Sequence, residues 1–303
     1  MVSSALPGAH LPDVSAIIVN YRSASHTLSC IETLLQQTGA DIEILVVDNA
    51  SGDGGIAQIR KAYPDIKLIE NANNDGFAKA NNLAAAEARG EYILVINPDI
   101  RLLSTDVVAG LAASLEADSS IGVIGPDIIE SRREKRVMPR YRYPLQKKLK
   151  RQKSLMNLPG NIAWILGACM LFPKHVYEQV KGFDNDFFLY GEDTDICLRL
   201  RQAGYSIVWE PKYKVDHWAG ASESGSRTYD TRVRKKRGYY QFCLKHYVKA
   251  DLMPVLRRQY WKCRLNLCLL RLRGMLLGKR PVTAIDRNQA EKDVLEAIVR
   301  AKP

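Results

Sequence analysis

The sequence predicts an α/β fold: a mostly parallel sheet with helices on both faces, followed by a basic helical region at the carboxyl end. Two observations predict it. Short apolar runs rich in Val and Ile alternate with segments of helical periodicity along the first half of the chain, which is typical of a parallel sheet. Several of these runs end in polar loops, and the carboxyl ends of parallel strands are where such folds bind ligands.

The first half of the chain contains four predicted strands, each an apolar run bounded by turn-forming residues. They cover residues 14–20, 42–47, 66–69 and 92–96. Between them, apolar residues at helical spacing predict three helices, over residues 25–37, 56–62 and 77–89. The third helix follows Asn73-Asn74-Asp75-Gly76, a run of residues that commonly cap helices.

The second half is less regular. A helix over 104–117 and a strand over 121–124 precede the basic stretch 131–157, which has few apolar residues and is expected to form a mobile loop. Further on, the pattern predicts an ordered apolar segment, a short helix, a second helix, a strand and a helical tail, over 162–172, 173–180, 192–201, 205–209 and from about 232. The predicted organisation is a leader over 1–13, one domain over 14–227 and a basic helical tail over 228–303.

The charge of the chain is unevenly distributed. The net charge is +11, but residues 131–153 contain 11 Lys and Arg against one acid, and residues 232–280 contain 15 against one. The rest of the chain is therefore acidic. Segregation of this kind indicates an anionic partner, and both a membrane surface and nucleic acid satisfy it.

Several classes of protein are disfavoured by composition. The six cysteines include no CxxC pair, which argues against a zinc ribbon, and buried thiols in a reducing cytoplasm are expected. The leader lacks the basic and apolar regions of a signal peptide, so none is expected. No apolar run reaches the roughly 18 residues of a transmembrane helix.

The strand over 92–96 ends abruptly in Asn97-Pro98-Asp99, which is the most informative segment of the chain. Proline cannot donate to a strand ladder, so Asp99 is presented at the carboxyl end of the strand. An acidic residue there suits a divalent cation that holds phosphates. The alternative is a plain turn, since all three residue types form turns. Asp48 and Asp75 follow other predicted strands and are expected at the same edge of the sheet.

A second acidic cluster, Glu192-Asp193-Thr194-Asp195, falls in the first turn of a predicted helix. Simple helix capping would explain it, because the helix dipole stabilises negative charge there. However, four apolar residues at 187–190 precede it, and an apolar wall can raise a carboxyl pKa as a general base requires. Asp195 is spaced to pair with Arg199, which leaves Asp193 and Glu192 as the freer candidates.

His217 is a weaker candidate, because a lone histidine is more often a surface or core residue than a ligand. It gains weight from the acidic site, since imidazole together with carboxylates suits Mn²⁺. No phosphate-binding glycine motif is present, so a phosphate would be held by a metal and by backbone amides.

Together these segments resemble the GT-A glycosyltransferases of family 2, whose fold is Rossmann-like, over about residues 14–250. The similarity consists of five motifs in the family's order, together with His217 at a position where members often have a metal-binding histidine. The motifs are Val19-Asn20-Tyr21, residues 47–54, residues 74–82, Asn97-Pro98-Asp99 and residues 188–195. Within the family the chain is most similar to bacterial rhamnosyltransferases of O-antigen and cell-wall linker assembly.

The resemblance implies a role for each matched residue. Asp193 would be the catalytic base of an inverting displacement, taking the proton of an acceptor hydroxyl, with Glu192 and Asp195 as further site candidates. Asp99 and His217 would bind Mg²⁺ or Mn²⁺. Asn97 stands where the first acid of the metal motif is expected, so metal binding would depend more on those two residues. The implied donor contacts are Val19, Asn20, Tyr21, Asp48, Asn49, Gly76, Asn82 and Asn97.

The resemblance also implies the substrates: a nucleotide sugar, either dTDP-rhamnose or a UDP-sugar, and a lipid-linked or cell-surface glycan acceptor. The tail fits this, since apolar residues from Val255 to Leu277 are interleaved with eight Lys and Arg between Arg257 and Arg280. Such a composition favours an interfacial helix on an anionic membrane, although a helix packed on the body is an alternative. We therefore expect a cytoplasmic protein, peripheral on the inner face of a bacterial plasma membrane.

Two other functions compete. The basic segments could bind nucleic acid non-specifically, but no recognisable module for specific DNA or RNA recognition is present. Paired carboxylates could also serve a glycosidase, which would leave the nucleotide-binding type of loop unexplained.

Overall fold

The computed structural model describes residues 13–149, 152–218, 229–277 and 282–301. Most of the predicted leader and residues 219–228 at the predicted domain boundary lie outside these ranges. The strands are β1 (Val14–Asn20), β2 (Ile42–Asp48), β3 (Lys67–Glu70), β4 (Tyr92–Ile96), β5 (Ile100–Leu102), β6 (Ile121–Glu130), β7 (Lys135–Val137), β8 (Cys169–Pro173) and β9 (Ser206–His217). The helices are α1 (Ala24–Leu35), α2 (Gly55–Ala62), α3 (Gly76–Glu87), α4 (Val107–Ala117), α5 (Lys174–Gln179), α6 (Glu192–Gln202), α7 (Tyr229–His246), α8 (Lys249–Leu277) and α9 (Val282–Arg300).

The strands form one sheet in the order β3-β2-β1-β4-β8-β6-β9-β5, with β7 paired to β6. The first four strands are parallel, and Asn20 is in register with Asp48 and Asp48 with Glu70. Their carboxyl ends therefore lie at one edge, as predicted. The rest of the sheet is mixed, because β8 runs antiparallel to β4 and β6, while β9 is parallel to β6 and antiparallel to β5. The α/β fold class is confirmed.

Consecutive residues of the central strands pack into different cores, because side chains alternate across a sheet. Ile18 and Val46 contribute to one core with helices α1 and α4, whereas Ile17 and Leu45 contribute to the other with α3, α5 and α6. Burial on both faces explains why these strands are continuous apolar runs. All six cysteines are free thiols. Five of them are buried, as expected, and Cys268 is exposed.

Outside the basic stretch 131–157, three parts of the sheet differ from the prediction. Strand β5 was not predicted, β6 continues to Glu130, and β9 continues to His217. Pro126 and Pro211 interrupt the apolar pattern of β6 and β9, and proline in a run argues against a strand. The two strands nevertheless pair with a register shift between Pro126 and Asp127, a bulge that a sequence pattern does not reveal.

The basic stretch 131–157, which was expected to be a mobile loop, contains short elements of regular structure among its described residues. They contain short 3₁₀ helices and strand β7, and Arg140 forms a β-bridge with Trp164. Tyr143 and Leu149 are buried in a third hydrophobic cluster. The helices of the tail supply the surface on which these few apolar residues pack.

That third cluster also joins the tail helices to the body. Phe242 of α7, Leu256 of α8 and Leu295 of α9 are fully buried in it. The predicted helical tail is therefore present, and part of it packs on the sheet domain.

Candidate active site

The side chain of Asn20, at the end of β1, is fully buried and saturated with hydrogen bonds. Its Nδ2 donates to Asp48 Oδ1 at 2.7 Å and to Ser51 Oγ at 3.2 Å. Its Oδ1 accepts from Ser23 Oγ at 3.0 Å and from Thr27 Oγ1 at 2.9 Å. These hydrogen bonds engage all the side-chain amide groups of Asn20 and hold Asp48 in place, and the donor contact expected of Asn20 stays a prediction.

Asp48, at the end of β2, lines a cavity of about 320 Å³. Its carboxylate is nearly buried and also accepts from the hydroxyl and the backbone N–H of Ser51, at 2.6 and 3.1 Å. The rest of the cavity wall is residues 50–54, Ile56 and residues 70–72. Pockets for small ligands begin at about this volume. Near this edge Val19 is buried in the core, and Tyr21 is partly exposed.

Asn49 and Asn82 are likewise saturated. Asn49 Nδ2 donates to Asn74 Oδ1 and to the Gly76 carbonyl, and its Oδ1 accepts from Asn71 Nδ2 and the Asp75 N–H, at 2.8–3.2 Å. The amide of Asn82 makes four hydrogen bonds with Tyr177, Phe183 and Asn185, at 2.7–2.9 Å. Their geometry favours positioning of loops over the direct donor contacts expected from the sequence.

Gly76 begins α3 where two loops meet. Its φ is +83°, and a Cβ built there would lie 2.3 Å from the carbonyl oxygen of Phe188. The same carbonyl accepts the backbone N–H of Phe77 at 2.8 Å. Only glycine combines this left-handed backbone with so close an approach.

Asp99 and His217 lie side by side, with Asp99 Oδ1 3.5 Å from His217 Nε2. Strand β5 brings them together, because Ile100 is in register with His217. Asp99 Oδ1 and His217 Nδ1 are both buried without a hydrogen-bond partner among the described residues. A carboxylate oxygen and an imidazole are ligands that Mn²⁺ accepts, so the pair fits a divalent cation.

The described residues contain no set of three or more His, Cys, Asp or Glu side chains arranged to hold a metal. Further coordination would have to come from a ligand or water. One acid near the pair was not singled out from the sequence: Glu130 Oε1 lies 3.9 Å from His217 Nδ1. It is the last residue of β6, a part of the strand that the apolar pattern did not reveal.

Glu192 and Asp193 are buried in the first turn of α6. Burial and the neighbouring charge of Asp193 raise the pKa of Glu192 to about 8. Burial also raises the pKa of Asp193, although its Oδ2 accepts the Gly167 N–H at 3.2 Å and its Oδ1 accepts the Thr194 N–H at 2.7 Å. An apolar setting that raises carboxyl pKa values was predicted from the residues before this cluster.

Residues 167 and 168 connect the acidic helix with the end of β4. Gly167 donates to Asp193, and the carbonyl of Ala168 accepts the backbone N–H of Asn97 at 2.8 Å. Asn97 itself is half-buried. Asn97 of the metal motif and Asp193, the candidate base, are therefore hydrogen-bonded to two adjacent residues of the chain.

Asp195 pairs with Arg199, as its spacing predicted. Arg199 Nε donates to its Oδ2 at 2.7 Å, and His246 Nε2 of helix α7 lies 2.7 Å from its Oδ1. Helix α7 makes a second close contact here: a Cβ on Gly238 would lie 2.0 Å from the Tyr190 carbonyl oxygen. The tail helix α7 therefore braces the segment that carries the acidic cluster.

Family profiles match two parts of this chain. A family profile described as glycosyl transferase family 2 matches residues 15–181, more than half of the chain. A second profile, described as the N-terminal domain of galactosyltransferase, matches residues 147–218.

Two curated relatives are rhamnosyltransferases. The N-acetylglucosaminyl-diphospho-decaprenol L-rhamnosyltransferase of Mycobacterium tuberculosis is 27% identical over 68% of this chain and 76% of its own length. Rhamnosyltransferase WbbL of Escherichia coli is 28% identical over 62% of this chain and 78% of its own length. Two further relatives are longer, and the matching part of the chain spans 26% and 64% of them.

Among solved structures, mannosyltransferase PcManGT from Pyrobaculum calidifontis, in complex with GDP-Man and Mn²⁺, matches with a TM-score of 0.62. The identity is 18%, and the match covers 97% of this chain and 89% of that one. This likeness confirms the GT-A fold, and the resemblance to rhamnosyltransferases is confirmed by the relatives. The chain belongs to glycosyl transferase family 2.

Proposed function

We propose that this chain is an inverting, metal-dependent glycosyltransferase, and that it transfers rhamnose from dTDP-rhamnose to a hydroxyl of a lipid-linked or cell-surface glycan. A UDP-sugar is the second candidate donor. The observation that carries the proposal is the shared attachment of Asn97 and Asp193 to residues 167 and 168, beside the Asp99–His217 pair. The names of the two rhamnosyltransferase relatives support the choice of sugar.

On the donor side, the cavity beside Asp48 is the candidate site for the nucleobase. Asp48 supplies a carboxylate acceptor that Asn20 and Ser51 hold in place, which suits the N–H of a pyrimidine base. Asp99 and His217 are the residues that would hold Mg²⁺ or Mn²⁺. Such a cation, when bound, offsets the charge of the departing nucleoside diphosphate.

Asp193 is a better candidate for the base than Glu192. Burial and the charge of Asp193 raise the pKa of Glu192, and Glu192 Oε2 is buried without a hydrogen-bond partner among the described residues, so its carboxyl is not oriented as that of Asp193 is. Asp193 has a raised pKa, and its carboxylate is oriented by the Gly167 and Thr194 N–H groups. A base works best when its pKa approaches the working pH. Asp193 would take the proton from the acceptor hydroxyl as that oxygen attacks the anomeric carbon.

On the acceptor side, helix α8 supports association with an anionic membrane surface. Its buried residues, such as Leu256 and Cys263, pack in the third hydrophobic cluster. On the other side an exposed apolar face runs along the helix at spacings of three and four, with exposed fractions of 49–73%: Trp261, Leu265, Leu269, Leu272 and Met275. At helical spacing, basic residues flank this face on both sides: Arg264 and Arg271 on one, Lys262 and Arg273 on the other.

A two-faced helix of this kind fits the interface of an anionic bilayer, where a lipid-linked acceptor would reside. None of the helices in the described ranges is long and apolar enough to span a bilayer. We therefore propose a peripheral position on the inner, cytoplasmic face of a bacterial plasma membrane.

The decisive experiment is a transfer assay with nucleotide sugars and a short-chain polyprenyl diphosphate N-acetylglucosamine acceptor, with Mn²⁺ and with EDTA. Transfer of rhamnose from dTDP-rhamnose that EDTA abolishes would support the proposal. Transfer from UDP-sugars alone would reject rhamnose and keep the reaction class. Donor hydrolysis with no transfer to any glycan would reject the transferase reaction, and full activity in EDTA would reject the roles of Asp99 and His217.

A further inference from the structure

We propose that Glu130 is a positioning residue that holds the imidazole of His217 in the orientation needed for metal binding. This inference rests on the proposed metal-dependent function. It concerns a residue outside the family motifs in the sequence, and it follows from the arrangement of two carboxylates around one ring.

His217 lies between these carboxylates. Its Nε2 is 3.5 Å from Asp99 Oδ1, and its Nδ1 is 3.9 Å from Glu130 Oε1. Nδ1 is buried and has no hydrogen-bond partner among the described residues, which is costly for a polar atom. A distance of 3.9 Å is too long for a hydrogen bond, so a small movement of either side chain would complete one.

The sheet holds Glu130 at this position. Strands β6 and β9 are parallel, and Ile129 is in register with Asp216, so Glu130 and His217 are the next residues along. Asp216 is engaged elsewhere, because its carboxylate accepts from Trp218 Nε1 at 2.8 Å and from the Ser131 N–H at 3.0 Å. Glu130 is therefore the acid of this strand pair that faces the ring. Its other oxygen accepts from Arg133 Nη1 at 3.2 Å.

The chemistry of metal-binding histidines gives this contact a purpose. A histidine that binds a metal through one nitrogen commonly donates the other N–H to a carboxylate, which fixes the tautomer and the ring orientation. Here Nε2 faces Asp99 and Nδ1 faces Glu130, so each nitrogen faces a different carboxylate. A metal held by Asp99 and Nε2 would lie on the side of the ring away from Nδ1, which favours positioning by Glu130 over direct coordination.

The test measures Mn²⁺ affinity in the presence of dTDP, by electron paramagnetic resonance of free Mn²⁺. Loss of a carboxylate behind a metal-binding histidine costs about 10- to 100-fold in metal affinity, and we expect this for Glu130→Ala. Glu130→Gln should keep most of the affinity, since an amide oxygen still accepts the Nδ1 hydrogen. In electron spin-echo spectra, the ¹⁴N modulation from the imidazole should weaken in the Ala variant and persist in the Gln variant.

Two controls separate positioning from other effects. Arg133→Ala removes the Glu130–Arg133 ion pair and keeps the carboxylate, and Glu134→Gln removes an exposed charge four residues away. Both should bind Mn²⁺ within about twofold of wild type. Unchanged affinity in Glu130→Ala overturns the proposal, as does equal loss in Glu130→Ala, Glu130→Gln and Asp99→Ala, which would make Glu130 a ligand. If the wild-type chain binds no Mn²⁺, the proposed metal site is refuted, and this inference with it.

Discussion

Replacing Gly76 by alanine should destabilise the protein and disturb the catalytic segment at the same time. A left-handed backbone at φ +83° costs an L-residue roughly 1–2 kcal/mol. The new Cβ would also lie 2.3 Å from the Phe188 carbonyl oxygen, a backbone atom that cannot rotate away. Forcing such a shift in a packed site costs roughly another 1–3 kcal/mol. We expect Gly76→Ala to lower the free energy of unfolding in urea by roughly 2–5 kcal/mol.

Gly204→Ala is the matched control, because Gly204 also has a left-handed backbone, at φ +98°, and no atom lies within 4 Å of its added Cβ. It should lose only the roughly 1–2 kcal/mol of the backbone conformation. Below the unfolding transition, Gly76→Ala should also lose transfer activity, by up to about 100-fold if residues 188–193 move by ~1 Å. Equal destabilisation of the two variants, with full activity in Gly76→Ala, would refute the close approach of the two loops.

Three further predictions concern the base, its neighbour and the tail. Asp193→Asn should keep donor binding, measured by calorimetry with dTDP, and lose about 10²–10⁴-fold in transfer rate, because the amide cannot accept the proton; near wild-type turnover contradicts this. Glu192→Gln should be more thermally stable than wild type at pH 8 and nearly equal to it at pH 5. The raised pKa of Glu192, about 8, means that the unfolded chain loses this proton first, so wild-type stability falls between the ordinary pKa of 4.5 and about 8; a parallel pH dependence in both proteins refutes the burial of this acid. Replacing Trp261, Leu265 and Met275 by Ser should abolish sedimentation with anionic vesicles and leave transfer to a water-soluble acceptor intact, and equal wild-type binding to neutral vesicles would contradict the charge requirement.

The parts of the fold that the sequence predicts are those governed by local patterns. The strand β4 was predicted at its observed bounds because a continuous apolar run ends at Pro98, which cannot extend a ladder. The Asp195–Arg199 pair was predicted because helical spacing alone brings residues four apart together. The positions of Asp48, Asp99 and Asp193 also follow from local patterns. Asp48 and Asp99 come after predicted strands, and Asp193 lies in the first turn of a predicted helix.

The structural features that the sequence does not predict depend on contacts between segments that are far apart in the chain. The partner of Asp195 in α7, His246, is 51 residues away, and nothing in its neighbourhood indicates that contact. The extension of β9 to His217 contains charged residues and a proline, so its strand character comes from pairing with β5 and β6. Glu130 was overlooked for the same reason. The saturated amides of Asn20, Asn49 and Asn82 were also beyond prediction, because a motif does not distinguish a ligand contact from a scaffold.

The brace between α7 and the acidic helix has a practical consequence for dissecting this enzyme. A chain cut before α7 would lose His246 beside Asp195 and the packing of Gly238 on Tyr190 along with α8, the helix proposed to bind the membrane. The truncated chain would therefore be inactive whether or not transfer requires contact with lipid. Attachment to a bilayer and assembly of the catalytic centre can be separated only by surface changes on α8 that leave the backbone whole.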